Sequence, residues 1–249
     1  MTTPRPTGRV NFDNRDRVVI VTGGASGIGR SICEEFASSG AYVVCADVNR
    51  PDAADLPDRI VFCATDVATE HECEHTVQWT FDRFGGLDVL VNNAAIQPAA
   101  SYVGVHQFPD DLMQRMLAVN LSGYAYMAKH ALNVMRQQRS GVIVNIASGQ
   151  GHRTARQVPV YGPIKAANLL QAMQWGVEYA RDGIRVVSVS PGAIDTPLVR
   201  ASLAAQGGEA ELANRHPVGR LGQPTEVARA VLWLASADAS FVTATDLSV

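Results

Sequence analysis

The chain has 249 residues, 47% of them hydrophobic and 18% charged, with a formal net charge of −3 at pH 7. That balance describes an ordinary globular protein and excludes a disordered chain, a coiled coil and an electrostatic nucleic-acid binder, which would carry a basic excess. No apolar run approaches bilayer-spanning length, so no membrane role is indicated and a cytoplasmic location is the default expectation.

Residues 1–16 carry prolines and charges but no apolar h-region, and they read as a loose leader, not a secretory signal. Strand-like runs follow at 17–23 (RVVIVTG), 42–47 (YVVCAD), 59–66 (RIVFCATD), 87–94 (LDVLVNNA), 141–148 (GVIVNIAS) and 184–192 (IRVVSVSPG). They are short, β-branched and nearly continuous in hydrophobicity, as in strands covered on both faces. Helical patterns lie between them at 29–40, 74–85, 112–138 and 166–183, and three of these end in a glycine suited to a C-cap (Gly40, Gly85, Gly183). The alternation predicts βαβ units with right-handed crossovers: an α/β, Rossmann-like, doubly wound parallel sheet with helices on both faces.

Nothing divides residues 1–249 into more than one domain. Residues 197–222 interrupt the rhythm after the sixth strand, and a substrate loop or lid is expected there rather than a seventh crossover. A helix resumes at PTEVARAVLWLAS with Pro224 near its first position, and the chain ends on FVTATDLSV.

The four cysteines, Cys33, Cys45, Cys63 and Cys73, form no C-x-x-C and suggest neither a zinc knuckle nor a redox pair. Cys45 reads as a small core residue. HECEH (71–75) matches H-x-x-E-H, a pattern of some zinc proteases. It opens an amphipathic crossover helix whose apolar members Val77, Phe81 and Phe84 face elsewhere, so a solvated helix face is expected and no metal site.

VTGGASGIG (21–29) ends the first strand and opens the first helix. Its glycines Gly23, Gly27 and Gly29 let the backbone approach a pyrophosphate, and the helix N-terminus offers free N–H groups, which makes Ser26 and Ile28 contacts as well. A glycine-rich turn alone is also compatible with a purely structural bend. Asp47 adds weight, because it closes the second strand about where a carboxylate would bind an adenosine ribose. That carboxylate would repel a 2′-phosphate, so NAD is expected over NADP, although Arg50 lies close by.

YGPIK (161–165) places a tyrosine and a lysine one helical turn apart with Pro163 between them. A proline is tolerated only if Tyr161 lies in the first turn of its helix. Taken alone, the pair could be an interfacial aromatic and a solvated charge. TGGASGIG, NNAA (92–95), Asn120, Ser148, Tyr161, Lys165 and PGAIDT (191–196) together resemble the classical short-chain dehydrogenase/reductases, in order and approximate spacing, over residues 16–247.

The resemblance implies roles position by position. Tyr161 would exchange a proton with the substrate oxygen, and Lys165 would lower the Tyr161 pKa and hold the nicotinamide ribose. Ser148 would hydrogen-bond the substrate oxygen, and Asn120 would support a water relay to the lysine. Asp66 and Val67 would touch adenine, Asn92 and Ala94 would form part of the cofactor floor, and Pro191, Gly192, Ile194 and Thr196 would clamp the nicotinamide. Chemistry agrees, since a tyrosine near pKa ~10 is a poor base at neutral pH until a neighbouring positive charge favours its phenolate.

Departures from the family are Pro163, where a small residue is usual, Ala244, where glycine is usual, and a glycine-containing tail that would follow DLSV. After Ser148, the residues Gln150, His152, Arg153 and Arg156 lie where a substrate should enter. The arginines could pair with an anionic substrate or be solvated loop charges or subunit contacts. Met127, Leu132, Leu169, Met173 and Trp175 on helices 112–138 and 160–181 suggest subunit burial, and the resemblance implies a homotetramer or dimer built on these helices. The expected function is NAD-dependent interconversion of a secondary alcohol, that of a sugar or another polyhydroxylated or anionic compound, with its carbonyl. The rivals are an NADP-dependent carbonyl or ketoacyl reductase and a catalytically silent dinucleotide sensor or structural protein.

Overall fold

The computed structural model describes residues 8, 10–51 and 56–249. Seven parallel strands make one sheet in the order β3-β2-β1-β4-β5-β6-β7. They are β1 (Val18–Thr22), β2 (Tyr42–Asp47), β3 (Ile60–Ala64), β4 (Val89–Asn92), β5 (Gly141–Ile146), β6 (Ile184–Ser190) and β7 (Asp246–Ser248). Every residue of β1, β4 and β5 is buried, which is why those runs are hydrophobic without alternation.

Side chains still alternate between the two faces. Val19 and Val21 of β1 join a core with Ile32 and Phe36 of helix α1 (Gly27–Ser38) and with Val227 and Val231 of helix α8 (Pro224–Ala235). Ile20 points the other way, into a core with Val77 of α2 (Glu70–Phe84), Met127 and Met135 of α4 (Gly123–Gln138) and Ala172 of α5 (Tyr161–Tyr179). The strand order reverses between β1 and β4, so the crevice at the carboxyl ends of these strands is the expected ligand position.

Helix boundaries follow local chemistry. Helix α2 stops at Gly85 in the left-handed conformation (φ 79°), with Glu70 and Glu72 in its first turn. Helix α8 starts with Pro224, and the Glu226 carboxylate accepts the Gln223 N–H at 2.7 Å. The stretch read as one helix over 112–138 starts earlier and is broken into α3 (Asp110–Leu117), a π turn (Ala118–Ser122) and α4.

Several other expectations are corrected. Residues 1–7 and 9 of the leader lie outside the described residues, but Asn14 is buried and its amide donates to the Ser39 hydroxyl at 2.9 Å, so the leader's end is anchored. FVTATDLSV contains the edge strand β7, and residues 197–222 open the crossover that reaches it from β6. They form two short helices, α6 (Pro197–Ser202) and α7 (Glu209–Asn214).

Met127, Leu132 and Leu169 are buried within the chain, whereas Leu170, Met173 and Val177 of α5 are exposed. Phe81 of α2 is exposed too. All four cysteines are buried free thiols. No helix among the described residues is long and apolar enough to cross a membrane.

Ala244 takes up the left-handed backbone (φ 54°) that favours glycine, and its N–H reaches Val186 O at 2.8 Å. A side chain in that conformation costs about 1–2 kcal/mol. Helix α5 passes so close that a Cβ on Gly176 would stand 2.6 Å from the Ala244 nitrogen.

Candidate active site

A cleft of about 870 Å³ opens at the carboxyl edge of the sheet. One end is built by the turn between β1 and α1. Gly23 has φ 65° and donates its N–H to Ala46 O at 2.8 Å, and a Cβ on Gly29 would stand 2.1 Å from Gly23 O. Only glycine allows the chain to fold back on itself this tightly. Ser26 caps α1 from extended backbone without bonding its hydroxyl to the helix, so the first N–H groups of α1 face the cleft.

The acidic residues at this end are already ordered. Asp47 accepts the Ala25 and Asn49 N–H groups at 3.0 and 2.9 Å, which fixes its carboxylate at the cleft wall. Arg50 instead places its guanidinium 5.4 Å from the Phe62 ring centre. Asp66 accepts the Ala68 N–H at 3.0 Å and the Arg115 guanidinium at 3.0 Å, and Val67 beside it lines the cleft. Glu72 of HECEH accepts the Asp66 N–H at 2.6 Å, so this residue supports the cleft. The described residues contain no group of three or more His, Cys, Asp or Glu side chains able to hold a metal.

Ala94 lines the cleft but Asn92 does not. Asn92 is wholly buried, with its amide donating to Asn145 Oδ1 at 3.0 Å and to Tyr124 O at 3.2 Å. Its neighbour Asn93 lines the cleft and ties Thr22 O at 2.9 Å, a position that strand alternation at the end of β4 would have indicated.

At the other end Ser148 follows β5, and its hydroxyl accepts the Gln150 N–H at 3.1 Å. Tyr161 is the first residue of α5, which places Pro163 in the first turn as the sequence required. Lys165, one turn on, is 1% exposed. It donates to Ile146 O at 2.7 Å and to the Tyr124 hydroxyl at 3.1 Å, with Nζ 5.6 Å from the Tyr161 ring centre.

Burial pulls Lys165 down to about 7 and pushes Tyr161 well above the usual phenol range, to which nearby Tyr102 adds. In the protein alone burial thus disfavours the charged form of both side chains. Asn120 sits in the π turn, where its side chain pairs with Ile96 N–H and O, both at 2.8 Å, and its carbonyl accepts the Asn168 amide at 3.1 Å. These bonds hold the strand β4 exit against α5.

The Lys165 shift has a stability consequence. The unfolded lysine near 10.5 binds its proton across the window from about 7 to 10.5 while the folded one does not, so stability rises with pH there. Below pH 7 the fold carries the full cost of a buried ammonium. Lys165→Met is therefore expected to raise the unfolding free energy by about 1–3 kcal/mol at pH 7, with the gain shrinking toward pH 10. Tyr124 already donates to Ile146 O at 2.9 Å, so both keep a partner when the lysine is removed. Denaturant melts at several pH values check this, and a loss of stability at pH 7 contradicts it.

The rim completes the site. Pro191, Gly192, Ile194 and Thr196 line the cleft, and Thr196 caps α6 by accepting the Val199 N–H at 3.3 Å. A Cβ on Gly27 would stand 3.2 Å from the Thr196 methyl, so the two ends of the cleft meet there. Gln150, His152 and Arg153 line the cleft and Arg156 does not. His152 is anchored by Asp246 of β7 at 2.8 Å, a partner 94 residues away that no local pattern predicts.

Gln97, Tyr102 and His216 are lining residues the sequence reading missed. His216 is held in one tautomer, since Nε2 accepts the Ala193 N–H at 2.8 Å while Nδ1 donates to Leu212 O at 2.8 Å.

Comparison with known proteins sets this cleft in context. Residues 23–249 match the family model described as enoyl-(acyl carrier protein) reductase. The chain is 41% identical over 243 residues to cis-4-hydroxycyclohexanecarboxylate dehydrogenase of Sinomonas cyclohexanicum, covering 94% of this chain and 95% of that one. It is 37% identical over 246 residues to L-fucose dehydrogenase of Mus musculus, covering 94% and 86%. Aldohexose dehydrogenase of Thermoplasma acidophilum superposes with a TM-score of 0.87 at 36% identity, covering 95% and 93%. Glycine turn, sheet order and the Tyr161–Lys165 helix thus occur in a chain whose relatives are dehydrogenases and reductases of alcohols and carbonyls, and the protein belongs to the classical short-chain dehydrogenase/reductase family.

Proposed function

We propose that the protein is an NAD-dependent dehydrogenase that interconverts a secondary alcohol of a small, hydroxyl-rich compound with its carbonyl. The observation that carries this reading is the meeting in one cleft of Ser148, Tyr161 and Lys165 with the glycine turn and Asp47. The tight Gly23–Gly29 approach and the open α1 N-terminus fit a dinucleotide pyrophosphate. Bound NAD supplies the hydride acceptor and a positive ring.

The chain's own residues do the rest. Ser148 hydrogen-bonds the substrate oxygen and Tyr161 takes its proton, once positive charge in the cleft favours the phenolate. Two of the three Lys165 N–H groups have protein acceptors, which leaves one for a ribose hydroxyl. Asp47 binds the adenosine ribose and disfavours a 2′-phosphate, and Arg50, turned to Phe62, does not offset it. Asn120 acts by holding Ile96 and α5 in place. Ile194 and Thr196 flank the nicotinamide, Asp66 and Val67 the adenine, and residues 197–222 close over the substrate in a single catalytic domain.

Two buried amide atoms support the substrate class. Gln97 Nε2 and Gln150 Oε1 both belong to residues lining the cleft and have no hydrogen-bond partner. A free donor and a free acceptor on residues of one cleft suit hydroxyl groups, which offer both. Arg153 gives the same wall a cation for an acidic substituent. Leu170, Met173 and Val177 form an exposed stripe at helical spacing on α5, which we assign to a subunit contact in a homo-oligomer.

The test is steady-state turnover with NAD of sugars, polyols and hydroxy acids against simple secondary alcohols. The reading expects kcat/KM at least about ten-fold higher for the hydroxylated group, one hydrogen-bonded anchor being enough for that ratio. Equal or reversed preference removes the substrate class.

A further inference from the structure

Lys165 is buried without a counter-ion for its charged form: burial alone accounts for its shift, and among the described residues no carboxylate pairs with it. Two acceptors hold Nζ. One is Ile146 O at 2.7 Å, and the other is the hydroxyl of Tyr124 at 3.1 Å. That hydroxyl in turn donates to Ile146 O at 2.9 Å, so the three polar atoms close a triangle. Nζ also lies 5.0 Å from the Tyr124 ring centre and 5.6 Å from that of Tyr161, between two phenol rings.

Tyr124 is itself locked. It is 1% exposed and follows the π turn as the second residue of α4. Its carbonyl accepts the Asn92 amide at 3.2 Å. Gly123 before it lies so close to Val67 that a Cβ there would stand 2.8 Å from that side chain. A phenol fixed this firmly cannot follow the lysine, so the lysine must come to it.

We infer that Tyr124 is a positioning residue for the reaction: its hydroxyl holds the Lys165 ammonium at the place from which it acts on Tyr161. This rests on the reading of Tyr161 and Lys165 as the catalytic pair. The titratable groups facing Lys165 are Tyr124 from α4 and Tyr161 from α5 itself. Tyr102 faces Tyr161, while Asn92, Asn120, Asn145 and Asn168 nearby are neutral. With so few groups present, the Tyr124 hydroxyl and Ile146 O are the two hydrogen-bond acceptors that favour the charged lysine among the described residues, beside the two phenol rings. Removing the Tyr124 hydroxyl weakens the positive field at Tyr161 and makes the phenol harder to ionise.

The experiment is the pH dependence of kcat/KM for oxidation, by the full chain with NAD, of a secondary alcohol that the wild type turns over. Wild type, Tyr124→Phe and Tyr161→Phe are compared. In Tyr124→Phe the acid limb is expected to move up by about 0.5–1 pH unit, with kcat/KM at pH 7 falling about 3–10-fold. A purely structural role would lower the melting temperature and leave the limb in place.

Should Tyr124→Phe fail to fold, 3-fluorotyrosine incorporated at position 124 keeps the ring and hydroxyl while weakening the acceptor, and a smaller upward shift is expected. A limb that coincides with wild type in the Phe variant, or in the fluorinated protein where the Phe variant does not fold, overturns the inference. Undiminished turnover by Tyr161→Phe would instead overturn the catalytic reading beneath it, so the two failures are distinct.

Discussion

Tyr161→Phe is expected to lower kcat for alcohol oxidation by about 10²–10⁴-fold, the usual worth of a positioned acid/base group, while leaving dinucleotide affinity within about two-fold. The substitution removes one oxygen and keeps the ring. Tyr161 begins α5, where Val160 as N-cap and the packing of Ile164 set the helix start independently of the hydroxyl. Burial already holds the phenol neutral in the protein alone, so the hydroxyl is not there to stabilise the fold. Stopped assays with excess NAD separate the loss from binding. A kcat within ten-fold of wild type would require a different proton acceptor and would overturn the role of Tyr161.

Asp47→Ser is expected to move the NAD-to-NADP affinity ratio by about 10²-fold or more toward NADP. Losing a charge-assisted hydrogen bond to the ribose costs about 1.5–3 kcal/mol, and removal of the carboxylate also relieves its repulsion of a 2′-phosphate. Among the described residues the Asp47 carboxylate accepts the Ala25 and Asn49 N–H groups, both part of the same rim, so the described core is untouched. Titrating tryptophan fluorescence with each dinucleotide gives the ratio. An unchanged ratio would mean that discrimination lies elsewhere on the cleft wall, with Arg50 as the first residue to examine.

Much of this architecture was legible because its signals are local. Six hydrophobic runs became six strands, since a strand buried on both faces must be apolar throughout. Gly23, Gly27 and Gly29, Asp47 and the Tyr161–Lys165 spacing are fixed by turn geometry and helical period, and all of them line the cleft except Gly29, which makes the tight turn behind it. The misses are of another kind.

The edge strand β7 has three residues and pairs on one side only, too little for a pattern to register. The π turn at Asn120 adds one residue to a helix and leaves its apolar periodicity almost intact, so 112–138 reads as continuous. Tyr124 hides among the apolar residues of α4, and nothing in its neighbourhood along the chain points to Lys165, 41 residues away. Met127, Leu132 and Leu169 read as surplus apolar surface because the sequence does not say how deeply α4 and α5 sink onto the sheet. Asn92 and Asn93 differ only in which face of the β4 exit they take, and a one-residue choice decides which meets the cleft.

Oxidation of an alcohol by this cleft at the expense of NAD is read from the near-ultraviolet absorbance of reduced nicotinamide. The purified protein is mixed with NAD and, in turn, with sugars, polyols, hydroxy acids and simple secondary alcohols, and the reverse reaction is run with reduced cofactor and the matching carbonyls. Steady NAD reduction with at least one hydroxylated compound is expected, at a rate that falls about 10²–10⁴-fold in Tyr161→Phe. Saturable NAD binding with no absorbance change in either direction across the panel would contradict it and leave a dinucleotide-binding protein without this chemistry.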